Sequence, residues 1–229
     1  MQLSPKNEFI QKCTATLEEL YETLSKLPKL SLADLPAPAT VLVLMDLING
    51  FSRTGALQSP RVEALIPETV RLIKACDQRG IAKIAFADQH SEASPEFTTY
   101  PVHCLAGTGE AEVVAEIKEL GGYRLISKNS TNGFLEAEFQ NWLQENTQIT
   151  DFIVVGDCTD ICIQQFVITL KAWFNGHNQK VRVIVPTNLV DTYDLGIHNA
   201  ELLNAMALYN MLGNGVEVVQ KIELATVLD

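Results

Sequence analysis

The chain has 229 residues, 47% of them hydrophobic, and a formal net charge of −11. This length and apolar content suit one large domain with its own core and exclude a disordered chain. The acidity argues against nucleic acid and anionic membrane surfaces as partners, no apolar run reaches membrane-span length, and the opening residues lack a signal-peptide core, so a cytoplasmic location is expected.

Residues 7–27 predict an amphipathic helix, with Phe9, Ile10, Cys13, Leu17, Leu20, Tyr21 and Leu24 at helical spacing. Residues 31–40 contain Pro36 and Pro38 and read as an extended connector. Together they form an N-terminal extension, 1–40, ahead of a domain at 41–229. The extension can pack on the domain, lie across a partner subunit of a homo-oligomer, or cap a site.

From residue 41 strands and helices alternate. The continuous apolar run 41–45 predicts a strand covered on both faces. A helix over 62–79, ended by Gly80, leads to a strand at 82–87. A helix over 111–120 precedes a strand at 123–127, and a helix over 136–145 precedes a strand at 152–155. A helix over 163–175, a strand at 181–185, a helix over 197–212 and a strand at 215–219 complete the pattern. The alternation predicts a three-layer α/β/α fold with a six-stranded, mostly parallel sheet. Residues 89–100 and 101–109 interrupt it as long loops at strand ends, where α/β proteins place their sites.

In such a sheet the C-terminal ends of the strands share one edge. Asp46, Asp88 and Lys128 each follow a strand, and Cys162 follows the turn after another, so the four converge. A cysteine at a helix start meets the positive end of the helix dipole, which favours thiolate. An aspartate beside it can take the thiol proton and return it to a leaving group, and a lysine between them stabilises both anions. Taken singly, a strand-end aspartate is as often a helix cap. Thr159 and Asp160 read as shaping the turn and capping the next helix. Cys158 and Cys162 are not at zinc-ribbon or thioredoxin spacing.

A second group is Asp88, His90, Glu96 and His103. Two of the chain's four histidines fall in this segment. Two histidines with two carboxylates suit a divalent transition metal, or are ordinary loop residues. His177 and His198 fall outside both groups and read as surface or structural.

Three motifs carry a family resemblance. Met45-Asp-Leu-Ile-Asn-Gly-Phe51, Ser127-Lys-Asn-Ser-Thr-Asn-Gly-Phe134 and Val155-Gly-Asp-Cys-Thr-Asp-Ile-Cys162 resemble the first-strand, lysine and nucleophile motifs of the isochorismatase-like cysteine hydrolases. Asp88-Gln-His90 and Tyr100-Pro-Val-His103 resemble the metal motifs of the nicotinamidase/pyrazinamidase family within that superfamily. The resemblance runs from about residue 41 to 220. It implies a triad of Asp46, Lys128 and Cys162, with the N–H groups of Cys158 and Cys162 as oxyanion site after a cis peptide at Asp157–Cys158. It implies one divalent metal, zinc first with manganese or iron as alternatives, held by Asp88, His90, Glu96 and His103, with Glu92 as the fallback carboxylate. It also implies Phe51 and Tyr100 against the substrate ring. The implied reaction is hydrolysis of nicotinamide to nicotinate and ammonia through a thioester, in NAD salvage. Alternatives are another isochorismatase-like hydrolase, acting on isochorismate or an N-carbamoyl amide, a metal hydrolase without covalent catalysis, and a non-catalytic binding domain. Two departures stand out: Gly50 replaces an acid common in relatives, and Tyr100 stands where relatives often carry Trp.

Overall fold

The computed structural model describes residues 2–224. In chain order the elements are α1 (Lys6–Ser25), β1 (Leu30–Ser31), β2 (Thr40–Met45), α2 (Asn49–Ser52), α3 (Pro60–Glu63), α4 (Ile66–Arg79), β3 (Ala82–Asp88), α5 (Ala115–Leu120), β4 (Arg124–Lys128), α6 (Ala137–Glu145), β5 (Asp151–Gly156), α7 (Gln164–Gly176), β6 (Arg182–Pro186), α8 (Ala200–Gly213), β7 (Glu217–Val219) and β8 (Ile222–Glu223). Six strands form one sheet in the order β4-β3-β2-β5-β6-β7, with every neighbouring pair parallel. The expected fold is therefore observed, with an all-parallel main sheet. No helix among the described residues is long and apolar enough to cross a membrane.

The period-two geometry of strands explains the layers. Along β2, Val41, Val43 and Met45 face one core with Phe139 and Trp142 of α6, Phe166 and Leu170 of α7 and Met211 of α8. Leu42 and Leu44 face the other, with Leu72 and Ile73 of α4 and Ile117 of α5. Each fully buried aliphatic side chain contributes about 1.5–3 kcal/mol.

Several boundaries differ from the sequence expectation for local reasons. The helix expected over 62–79 is two: Pro67 has no N–H to give the Glu63 carbonyl, so α3 stops and α4 starts afresh. The helix expected from residue 111 begins at Ala115, because residues 112–114 pair with the loop after β2. There Asn49 donates to the Glu112 carbonyl and Val114 to the Leu47 carbonyl. The helix expected from 197 begins at Ala200, where the Asn199 side chain accepts the Leu202 N–H as an N-cap.

The connector before β2 is not wholly extended. It holds two short 3-10 turns, and β1 pairs in parallel with β8, Leu30 beside Ile222 and Ser31 beside Glu223. Only Leu20 of α1 is buried, and Phe9, Ile10, Leu17 and Tyr21 of its expected apolar face are exposed.

The chain leaves β2 toward β3 and β4 on one side, and β5 toward β6 and β7 on the other. The crevice at this reversal, outside the ends of β2 and β5, is where doubly wound sheets bind ligands. Gly156 closes β5 at φ 119, and a Cβ there would lie 1.9 Å from the Met45 carbonyl oxygen. Only glycine lets the two strand ends approach so closely.

Candidate active site

Register alone brings the predicted residues together. Asp88 and Lys128 are direct partners across β3 and β4. Met45 pairs with Gly156, so Asp46 and the Cys162 turn leave adjacent strands. Lys128 Nζ lies 2.8 Å from Asp46 Oδ2, 2.5 Å from Asp88 Oδ1 and 3.5 Å from Cys162 Sγ. All four residues are buried. Asp46 has φ 52, and its Oδ1 accepts the Asp88 N–H at 3.0 Å.

Burial dominates the electrostatics. It raises the Asp46 carboxyl to about 7 despite the attraction of Lys128. It also pushes Asp88 upward, but Lys128 and His90 outweigh it and hold that carboxylate below the ordinary range. Lys128 is driven down by burial and further up by Asp46 and Asp88, so it stays an ammonium. The Cys162 thiol is pushed well up by burial, and Lys128 only partly offsets this. The resting group is therefore a thiol, not the thiolate that a helix-start position suggests. Asp46, Asp88 and Asp157 raise it further. Cys162 sits inside a π-turn, Thr159–Ile163, just before α7 begins at Gln164.

The peptide bond Asp157–Cys158 is cis. The Cys158 N–H has no hydrogen-bond acceptor among the described residues. Thr159 donates its N–H to the Asp191 carbonyl at 3.0 Å. Neither Thr159 nor Asp160 caps α7, contrary to expectation: the Asp160 carboxylate instead meets His198 Nε2 at 2.9 Å.

Beyond Asp88 lies the second group. Donor atoms of Asp88, His90 and His103 all lie within 4.8 Å of one another. His90 Nε2 is 3.5 Å and His103 Nε2 3.9 Å from Asp88 Oδ2. His103 Nδ1 lies 2.8 Å from the Pro101 carbonyl and His90 Nδ1 3.2 Å from Asn129 Oδ1. Both acceptors require Nδ1–H, which turns the Nε2 lone pairs inward. His90 Nε2 is buried with no hydrogen-bond partner, which leaves it open to a ligand. This donor set fits a divalent metal. Glu96 stands at its margin, Oε2 3.8 Å from His90 Nε2, while Oε1 accepts the Thr131 N–H. Glu92 is exposed.

A narrow, partly open pocket joins the two groups and is lined by Asp88, Glu96, His103, Cys158 and Cys162. Phe51 and Tyr100 line it too, with ring centroids 5.7 and 6.1 Å from that of His103. Leu57, Thr131, Ile161 and Tyr193 complete the wall. None of these four was picked out from sequence. The loop after β6 that carries Tyr193 opens on the same sheet edge as the others, which is the one signal that points to it. Gly50 is explained by space: a Cβ there would sit 2.5 Å from Cys104 Sγ. The acid of that region is Glu110, whose Oε2 accepts the Cys104 N–H at 2.9 Å.

The isochorismatase domain family matches residues 40–218. The chain belongs to the isochorismatase family. Within this family it is 33% identical to nicotinamidase 1 of Arabidopsis thaliana over 214 residues, 81% of this chain and 87% of that protein. It is 25% identical over 177 residues to a probable inactive nicotinamidase of the same plant, 72% of this chain and 87% of that one. Among solved isochorismatase-like folds it superposes on the pyrazinamidase of Pyrococcus horikoshii in complex with zinc. The TM-score is 0.67 at 23% identity, covering 80% of this chain and 99% of that one.

Proposed function

We propose that this amide-bond hydrolase of the isochorismatase family converts nicotinamide to nicotinate and ammonia through a cysteine thioester. The observation that carries the reading is Lys128. It touches an acid and a thiol at one end of the cavity and, through Asp88, a two-histidine metal-type group at the other. A thiol hydrolase on an arbitrary amide needs only the first half. The second suits a substrate with a donor atom of its own, such as a pyridine nitrogen.

In the forward reaction Asp46 takes the Cys162 proton as the sulfur attacks the amide carbon. Donor atoms of these two residues lie within 4.8 Å of each other, and a carboxyl raised to about 7 is matched to neutral operation. Lys128 stabilises the sulfur as it gains charge, which removes the need for a resting thiolate. The N–H groups of Cys158 and Cys162 receive the oxyanion. Asp46 then hands its proton to the departing nitrogen, and ammonia leaves. A water, deprotonated by Asp46, opens the thioester, the proton returns to Cys162, and the acid so formed loses its carboxyl proton to solvent and departs as nicotinate. Phe51 and Tyr100 hold the ring.

Asp88, His90 and His103, with Glu96 beside them, would hold the metal, zinc first with manganese or iron as alternatives; when bound it supplies a Lewis-acid anchor for the ring. The product suits NAD salvage, in the cytoplasm.

The test is ammonia release from nicotinamide by metal-loaded wild type and Cys162→Ala, with and without chelator. Turnover by wild type alone, lost with chelator, is expected. Activity retained in Cys162→Ala would exclude the thioester. Likeness to a probable inactive relative favours a second reading, a non-catalytic domain. The intact Asp46, Lys128 and Cys162 weigh against it, and absence of ammonia from any single-ring amide would favour it.

A further inference from the structure

Tyr193 is half-buried in the loop after β6 and lines the same cavity as Cys158, Ile161 and Cys162. Its ring stacks on His198, with centroids 4.2 Å apart and planes 7° from parallel. Both nitrogens of His198 are engaged. Nδ1 lies 2.7 Å from the Tyr193 carbonyl oxygen and Nε2 2.9 Å from Asp160 Oδ2. Asp160 is part of the turn that carries Cys162.

The loop is fastened at its start as well. The Asp191 carbonyl accepts the Thr159 N–H, and the Asp191 carboxylate accepts from Arg61 Nε at 3.0 Å and Asn204 Nδ2 at 2.7 Å. Loops are ordinarily the least fixed part of a fold. This one is tied twice to the nucleophile turn. His198, expected to be merely surface or structural, is one of the ties.

We propose that Tyr193 is a specificity-determining wall for the substrate ring, with His198 and Asp160 as positioning residues that hold it against the turn bearing Cys162. The proposal rests on the reading of the site as a ring-amide hydrolase. One face of Tyr193 is covered by His198, so the rest of the ring presents a fixed aromatic surface to the cavity. Such a surface selects planar, single-ring primary amides. Its bulk excludes amides on fused two-ring systems. None of the chemical steps uses Tyr193, so its contribution falls on binding and not on turnover.

The experiment compares Tyr193→Ala, Tyr193→Phe, His198→Ala and the double variant Tyr193→Ala/His198→Ala, as metal-loaded full chains, on nicotinamide and quinoline-3-carboxamide. Tyr193→Ala is expected to raise KM for nicotinamide about fivefold with kcat little changed, and to improve the fused amide relative to it. Tyr193→Phe keeps the ring and stays near wild type. His198→Ala shifts KM the same way, and the double variant is no worse than Tyr193→Ala, because His198 acts through Tyr193. Additive effects, or a kcat loss at unchanged KM, would overturn the proposal. If wild type hydrolyses neither amide, the hydrolase reading fails separately. The wall is then read from alkylation of Cys162 by iodoacetamide and by N-phenylmaleimide, followed by mass spectrometry. Tyr193→Ala and His198→Gln should speed the bulky reagent selectively, and an unchanged ratio of rates overturns the wall. Should His198→Ala not fold, the Tyr193 pair and His198→Gln carry the same comparison.

Discussion

Asp88 and Lys128 face each other across two adjacent parallel strands and close a hydrogen bond of 2.5 Å. That one contact joins a thiol-type group to a metal-type group. Its ammonium is shared with Asp46 and lies against the Cys162 sulfur. Among the described residues Asp46 pairs with no other cation, and Asp88 otherwise meets only the imidazoles of His90 and His103.

Replacing this lysine should therefore cost stability before any question of activity. Lys128→Met keeps the length and removes the charge, leaving two buried carboxylates uncompensated. A loss of about 3–5 kcal/mol is expected at neutral pH, read by urea unfolding. The loss should shrink in acid, as the carboxylates protonate. An equal loss at both pH values would mean that packing, not charge, is responsible.

The pH profile of turnover should report Asp46. Burial raises its carboxyl to about 7, and the proposed base works only when deprotonated. Activity should thus climb as pH rises through about 7 and fall away below it. Asp46→Asn should lower kcat/KM by about 10²–10⁴-fold. A rate flat across this range in wild type would remove Asp46 from the proton-transfer step.

Asn129 should matter for metal without touching it. Its side-chain oxygen faces His90 Nδ1 at 3.2 Å and so fixes which nitrogen looks inward. Asn129→Ala should weaken zinc affinity by about 10–100-fold, measured against a competing chelator. His103→Ala should weaken it further. Unchanged affinity in both variants would count against the proposed ligand set.

Asp157 should be a source of alkaline instability. Its carboxyl is fully buried, and Oδ1 has no hydrogen-bond partner. Burial, then Asp46, pushes it well above the ordinary carboxylate range. The folded chain therefore keeps a proton that the unfolded chain has already released. Stability contributed this way is present in acid and drains away as pH rises toward the folded-state value. Asp157→Asn should flatten that decline and gain about 1–3 kcal/mol on the alkaline side, seen in thermal melts from acid to alkaline pH. Parallel melting curves for the two proteins would refute this.

The strand ends were the readable part of this site. Asp46, Asp88 and Lys128 each follow an apolar run, and parallel order sends all such ends to one edge. His90 and His103 came with them because short spacings to Asp88 and Pro101 are visible in the chain. The state of the Cys162 thiol was not readable, since it depends on burial beside two carboxylates that only folding brings near. Tyr193 and Leu57 were missed for a related reason: their sequence surroundings look like ordinary loop, and their place in the wall comes from the folded chain. The division of residues 60–79 into two helices was legible in principle from Pro67, whose missing N–H outranks the apolar periodicity around it.

The pairing of β1 with β8 ties the two ends of the described chain together. Leu30 donates to the Lys221 carbonyl and Gln220 to the Pro28 carbonyl, so a stretch synthesised early is held by one synthesised late. Contacts so distant along the chain close slowly, after the local ones. The β2–β5 crevice can form while this clasp is still open. The segment carrying α1 is thus held twice by late parts of the chain, against α8 and beside Ile222.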